Sequence, residues 1–261
     1  MIRNRLVLTL LLDNGILVNS REFNLNNICE IDTVLTYLNF DMIDELIILD
    51  ISREKKDINK FKKNIEKLTK KSFLPVSAGG GISSIEDCKL LLASGVDKVV
   101  LNTIATTNIK FINELSNKFG KQFIVISIDV KKVDNRYEVY SDNGTKKTTM
   151  NLVTYIKELE NNGAGELYIR SITHDGCLKG YDLELLKLVR KHTNLPIIIA
   201  GGVGDFIHLK EGIEHGANAV NIGNLFHYIG ESLIKAKDYM RSNGIDTPNS
   251  YWNFSLKGQL I

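Results

Sequence analysis

Short, almost purely apolar runs recur along the chain at 6–12, 46–51, 74–78, 99–101, 123–128, 167–169, 197–200 and 219–222. A strand of a parallel sheet is buried on both faces, so its residues read as a continuous apolar run and not as an alternation; the eight runs therefore predict eight parallel strands. Between them apolar residues recur at helical spacing. Ile58, Phe61, Ile65 and Leu68 share one stripe, and Ile109, Ile112, Leu115 and Phe119 another, which Gly120 stops at a C-terminal cap position. Ser83-Ser84-Ile85-Glu86 predicts a helix start with a capping box, and a last helix near 232–243 ends at Gly244.

The pattern repeats. Leu74-Pro75-Val76-Ser77-Ala78-Gly79-Gly80-Gly81-Ile82 aligns with Leu195-Pro196-Ile197-Ile198-Ile199-Ala200-Gly201-Gly202-Val203 at an offset of 121 residues. The same offset sets Glu45-Leu46 against Glu166-Leu167, Ile51-Ser52 against Ile172-Thr173, and Gly95-Val96-Asp97 against Gly216-Ala217-Asn218. The chain reads as two related halves, about 1–121 and 122–244, followed by a tail, 245–261, with Tyr251, Trp252 and Phe254. Eight strands alternating with helices fit either a closed barrel or an open doubly wound sheet. Duplication favours closure, because two four-stranded halves complete a ring. The expected fold is a single α/β domain, a (β/α)8 TIM barrel built from two half-barrels.

Composition narrows the function classes. Of 261 residues 43% are hydrophobic and 25% charged, which is globular composition. Thirty-three Lys and Arg against 31 Asp and Glu leave +2, no basis for nucleic-acid or membrane-surface binding. No run approaches the ~18 apolar residues of a membrane span. The start, Met1 to Leu6, reads as the lead into a first strand and not as a signal peptide. Cys29, Cys88 and Cys177 form no C-x-x-C pair and are expected as reduced thiols of a cytoplasmic protein. No metal-ligand spacing is present, and neither a metal nor a cofactor is expected.

Barrels of this kind carry their sites at the C-terminal strand ends. Gly79-Gly80-Gly81 follows the third run and Gly201-Gly202-Val203-Gly204 the seventh; the next runs end in Asn102-Thr103 and Gly223-Asn224. Bare backbone N–H groups at such turns can approach an anion, so each half offers a phosphate site: Gly80, Gly81, Asn102 and Thr103 in one, Gly201, Gly202, Gly223 and Asn224 in the other. Asp129 follows an apolar run, where an unpartnered carboxylate is costly, and is the candidate general acid or base. Asp50 and Asp175 either shape the pocket or cap loops. At the opposite end Arg5, Glu45, Lys98 and Glu166 begin the first, second, fourth and sixth runs. Two cations and two anions converging there form a neutral ring, either a plug or a gate.

These segments resemble the HisF family, the cyclase subunits of imidazole glycerol phosphate synthase, over essentially the whole chain. The resemblance rests on Asp44-Glu45-Leu46 through Leu49-Asp50-Ile51, Gly79-Gly80-Gly81-Ile82, Asp97-Lys98-Val99-Val100-Leu101-Asn102-Thr103 and Ile128-Asp129-Val130-Lys131. It continues in Gly163-Ala164-Gly165-Glu166, Asp175-Gly176, Gly180-Tyr181-Asp182 and Phe226-His227-Tyr228. It implies a HisH-like glutaminase docked on the barrel floor as heterodimer partner, and ammonia passing a gate of Arg5, Glu45, Lys98 and Glu166 to the mouth. It implies phosphate contacts at Gly81, Asn102, Thr103, Gly176, Gly202, Gly223 and Asn224, and the family's second catalytic aspartate at Asp129. Three positions depart from the family. The first catalytic aspartate falls on Leu11 in Thr9-Leu10-Leu11-Leu12-Asp13-Asn14-Gly15, and Asp13 could stand in only with a shifted loop. The family's loop lysine is Asn19, and a threonine ending the sixth strand is Arg170. That split resembles a paralogous branch that supplies ammonia to an N-acetyl sugar amidotransferase in surface-polysaccharide synthesis. A genuine histidine-pathway cyclase, and a non-catalytic scaffold that activates the glutaminase, are the alternatives.

Overall fold

The computed structural model describes residues 3–53, 56–71, 73–229 and 231–248. Tyr251, Trp252 and Phe254, like Met1 and Ile2, lie outside the described residues. The first half contains β1 (Arg5–Asp13), β2 (Ile16–Arg21), β3 (Asn24–Glu30), α1 (Ile31–Tyr37), β4 (Glu45–Asp50), α2 (Ile58–Thr69), β5 (Val76–Gly79), α3 (Ile85–Leu92), β6 (Lys98–Leu101), α4 (Thr103–Thr107) and α5 (Lys110–Phe119). The second contains β7 (Ile124–Val133), β8 (Arg136–Ser141), β9 (Lys146–Asn151), α6 (Leu152–Asn161), β10 (Glu166–Ser171), α7 (Leu183–His192), β11 (Ile197–Ala200), α8 (Ile207–Glu214), β12 (Ala219–Ile222), α9 (Asn224–Tyr228) and α10 (Ser232–Ser242).

Eight strands pair in parallel in the order β1, β4, β5, β6, β7, β10, β11, β12, and β12 pairs back to β1, closing the expected (β/α)8 barrel. Side chains alternate across the barrel wall. Leu6, Leu8, Leu10 and Leu12 join the layer beneath the helices, whereas Val7 and Leu11 enter the bore with Ile47, Val125, Tyr168 and Ile198. Halfway up, Thr9 Oγ1 lies 3.0 Å from the Tyr168 hydroxyl and donates to Asn221 Oδ1 at 2.7 Å, a polar layer in an otherwise apolar bore. Adding 121 to the residue numbers of β4, β5, β6 and α4 gives those of β10, β11, β12 and α9.

The helices form where the stripes predict them: Phe61, Ile65 and Leu68 are buried on α2, and α5 stops at Gly120, whose φ is 85°. The capping box of α3 is shifted by one residue. Ser84 is the cap and Asp87, not Glu86, closes it, because the shorter Asp87 carboxylate accepts from the N–H groups of both Ser83 and Ser84.

The runs miss two hairpins. β2 and β3, and β8 and β9, pair antiparallel beyond the barrel rim. Asp129 is consequently no strand end: β7 continues to Val133, and Asp129 sits inside it between Arg170 of β10 and Tyr140 of β8. No helix among the described residues is long and apolar enough to cross a membrane. Cys29, Cys88 and Cys177 are all free thiols.

Candidate functional site

The N-terminal ends of β1, β4, β6 and β10 bring Arg5, Glu45, Lys98 and Glu166 together on the barrel floor. Arg5 binds Glu45 at 2.6 Å and also Glu166; Lys98 binds both carboxylates at 3.0 Å. Ser77 adds a hydrogen bond of 2.8 Å to Glu45. Each acid thus meets both bases, so the four side chains form a closed ring. Burial opposes ionisation of Glu166, but Arg5 and Lys98 outweigh it and hold its carboxyl below the usual range. Burial likewise opposes the Lys98 charge, and Glu45 and Glu166 overcome it and raise its pKa.

At the other end of the bore lie two cavities. The first, about 380 Å³, is formed by the first-half turn: Gly80 and Gly81, then Asn102 and Thr103 at the end of β6, with Asp50 and Asp129. Glycine is required at Gly80, where φ is 117° and a Cβ would lie 2.1 Å from the Asp50 carbonyl oxygen. Asp50 caps its own loop, accepting from Ser52 N at 3.0 Å and Ser52 Oγ at 2.5 Å. Lys56, which sequence reasoning missed because it belongs to no motif, reaches the Asp50 carbonyl at 2.7 Å and lines this cavity; burial, only partly offset by Asp50 and Asp142, lowers its pKa.

The second cavity is formed by Gly176, Gly201, Gly202, Gly223 and Asn224 beside Asp175, and holds only about 40 Å³. The β2–β3 hairpin roofs it. Asp175 accepts from Ser20 Oγ at 2.6 Å and from Phe23 N at 3.2 Å, and its carbonyl from Glu22 N at 2.8 Å. Asn224 Nδ2 donates to the Ser20 carbonyl at 2.6 Å, and Asn19 Nδ2 to the Tyr228 hydroxyl at 2.6 Å. His227 also lines this cavity, and burial pushes its pKa down to about 4. The hairpin contacts lie beyond the reach of run-based reading, since they join polar residues of distant segments.

Arg170 lines both cavities. Its guanidinium lies 3.7 Å from Asp129 Oδ1 and 4.3 Å from the Phe23 ring centroid, and it makes no hydrogen bond among the described residues. Asp129 also receives Asn102 Nδ2 at 3.3 Å and Ser127 Oγ at 3.4 Å. Burial raises the Asp129 pKa, although Arg170 and Ser127 oppose the rise. Opposite stands Leu11, which lines the second cavity and carries no titratable group. Asp13 ends β1 paired with Ile16, accepts from Asn14 Nδ2 at 3.1 Å, and lines neither mouth cavity.

A family described as "Histidine biosynthesis protein" matches residues 10–231. The imidazole glycerol phosphate synthase subunit HisF of Exiguobacterium sibiricum is 35% identical over 94% of this chain and 99% of its own length. The protein of the same name from Chlorobaculum tepidum is 38% identical over 80% of this chain and 84% of its own. With these matches spanning floor, barrel and mouth alike, the chain belongs to the HisF family of histidine-biosynthesis proteins.

Proposed function

We propose that this chain is the ammonia-using synthase subunit of a glutamine amidotransferase. A HisH-like glutaminase docks on the floor and releases ammonia, the ring of Arg5, Glu45, Lys98 and Glu166 admits it, and the bore carries it to a phosphorylated small molecule at the mouth. The ring carries the reading. A buried pair is weak evidence for stability, since apolar residues would pack the floor at least as well. Four charges that close a bore end, while leaving the cations Arg5 and Lys98 partly open to solvent, suit a passage that opens when a partner displaces one of them.

Asp129 is the candidate proton carrier, and the Gly80–Gly81 and Gly201–Gly202 turns are the candidate anion contacts. Leu11 and Arg170 stand where ring closure in the family's histidine-pathway reaction needs a second proton carrier and an open mouth. We therefore assign the ammonia to another acceptor, an N-acetyl sugar destined for surface polysaccharide, through an amidotransferase partner. The rival reading is a lyase that makes imidazole glycerol phosphate, favoured by the two relatives, both imidazole glycerol phosphate synthase subunits. Co-purification with a HisH-like glutaminase tests the core of the proposal: a one-to-one complex with stimulated glutamine hydrolysis is expected, and two separate, mutually indifferent proteins would refute it. Rescue of a histidine auxotroph lacking its HisF decides between acceptors; no rescue is expected, and growth would return the chain to the histidine pathway.

A further inference from the structure

The inward face of a barrel strand gives each level of the bore one side chain, from every second residue, ~6.6 Å apart. On β1 these are Arg5, Val7, Thr9 and Leu11, and on β10 Glu166, Tyr168 and Arg170. The ring is the lowest level and Arg170 belongs to the mouth; Tyr168 lies between them. Thr9 and Asn221 stand on the adjacent strands β1 and β12, and Tyr168 reaches them from β10, which β11 separates from β12. The Tyr168 side chain therefore crosses the bore. Thr9 and Asn221 are 5% exposed and Tyr168 1%, and Val7, Leu11, Val18 and Ile47 share one apolar cluster with Tyr168.

Counting protons fixes the direction of the bonds in this layer. Asn221 Oδ1 can only accept, so the Thr9 hydroxyl gives its single proton there at 2.7 Å, and the Tyr168 hydroxyl, 3.0 Å from Thr9 Oγ1, donates to Thr9. Burial raises the Tyr168 pKa, although Arg170 opposes the rise, and the phenol keeps the proton that it donates. The second-half cavity reaches down to the layer: Thr9, Tyr168 and Asn221 all line it, and its volume of about 40 Å³ holds ~3 water-sized molecules.

We infer that Thr9, Tyr168 and Asn221 form a stop for ammonia halfway up the bore, which accepts the neutral molecule and turns back ammonium. Ammonia brings one lone pair and three N–H groups. The lone pair accepts from Tyr168, a better partner for it than Thr9 because ammonia is the stronger base, while two N–H groups donate to Thr9 Oγ1 and Asn221 Oδ1. Ammonium has no lone pair to offer Tyr168, and it would carry a charge into an apolar level. The Arg170 guanidinium, 5.9 Å from the Tyr168 ring centroid, repels it from above. The two carboxylates on the mouth side are engaged elsewhere, Asp129 beside Arg170 and Asp175 with Ser20 and the Phe23 N–H, and below the layer the two acids and two bases of the ring cancel. Only the neutral form has the lone pair with which nitrogen attacks an acceptor. The inference rests on the reading that ammonia enters through the ring.

NMR of the purified chain with carbon-13 at the tyrosine Cζ tests it, the Tyr168 signal being assigned by through-bond correlation in the wild type and by its loss in Tyr168→Phe. Titration with ammonium chloride should shift the Tyr168 signal saturably and in proportion to free ammonia, so that equal total salt shifts it more near pH 9 than near pH 7. Potassium chloride should leave it in place. Thr9→Val should weaken the response about tenfold, the loss of one hydrogen bond. A response that follows total ammonium, or no response at all, overturns the stop, and the wild-type titration decides even if a variant fails to fold. The glutaminase complex tests the ring apart from this: a chain that forms the complex and shows no Tyr168 response keeps the gate and loses the stop.

Discussion

Asp129 and Arg170 are neighbours across β7 and β10, both buried, so each charge is costly to keep there without the other. Removing the guanidinium leaves a carboxylate with Asn102 and Ser127 as its remaining contacts. The sign of the pH dependence follows. Asp129 already titrates above its ordinary value because of burial, so the stability linked to its protonation is present at low pH and is lost as pH rises through the raised pKa. In Arg170→Met the pKa climbs further. The melting deficit against wild type should be smallest near pH 4 and grow toward pH 8, reaching ~3–5 kcal/mol, the usual result of orphaning one member of a buried pair. Asp129→Asn in the same chain should recover much of it. A deficit constant across that range would mean that Arg170 acts through packing alone. Sequence pattern flagged both residues, Asp129 by its burial and Arg170 as a departure from the family, but only the register of β7 against β10 makes them partners.

Among the elements, the β2–β3 hairpin covers the second-half cavity. Asp175 fastens it through Ser20 Oγ, Phe23 N and, by its carbonyl, Glu22 N. Asp175→Ala removes the two carboxylate bonds and spares the backbone one. Each is worth ~1–3 kcal/mol, so the Phe23 amide should exchange with solvent deuterium at least tenfold faster while β1 keeps its protection. Unchanged Phe23 exchange would show that Arg170 and Asn224 hold the roof unaided. The hairpin illustrates what is legible in an apolar pattern. The eight barrel strands were readable because both faces are buried. β3, Asn24–Glu30, mixes Leu25, Ile28 and Cys29 with asparagines and lies mostly exposed, so it leaves no run to read. The repeat extends here too: adding 121 to β2 and β3 lands on β8 and β9 to within a residue or two, although their sequences share no obvious motif. Turn and sheet geometry therefore keep the 121-residue spacing at the rim, where the side chains do not.

The whole molecule is organised along the bore. Glycine turns, hairpins and the Asp129–Arg170 pair crowd one end, the ring closes the other, and Thr9, Tyr168 and Asn221 form the polar layer between them. The ring was predictable as four charges at strand starts; its closure depends on β12 meeting β1, which no local pattern states. Glu166 links Arg5 and Lys98, so Glu166→Gln leaves two half-buried cations sharing Glu45. The cost should be about 3–5 kcal/mol near neutral pH, a fall of roughly 10 °C in melting temperature for a domain of this size. Its pH dependence separates charge from shape. The Glu166 pKa is depressed in the fold, so its contribution is present above the ordinary carboxylate value and disappears as pH drops through the lowered one. The gap between variant and wild type should close below about pH 4. On the alkaline side the raised Lys98 keeps its contribution below the ordinary lysine value and loses it only as pH climbs through the raised pKa. A gap that persists in acid would identify Glu166 as a packing residue, and the ring could then no longer be read as an electrostatic closure that a docking partner opens by drawing off one cation.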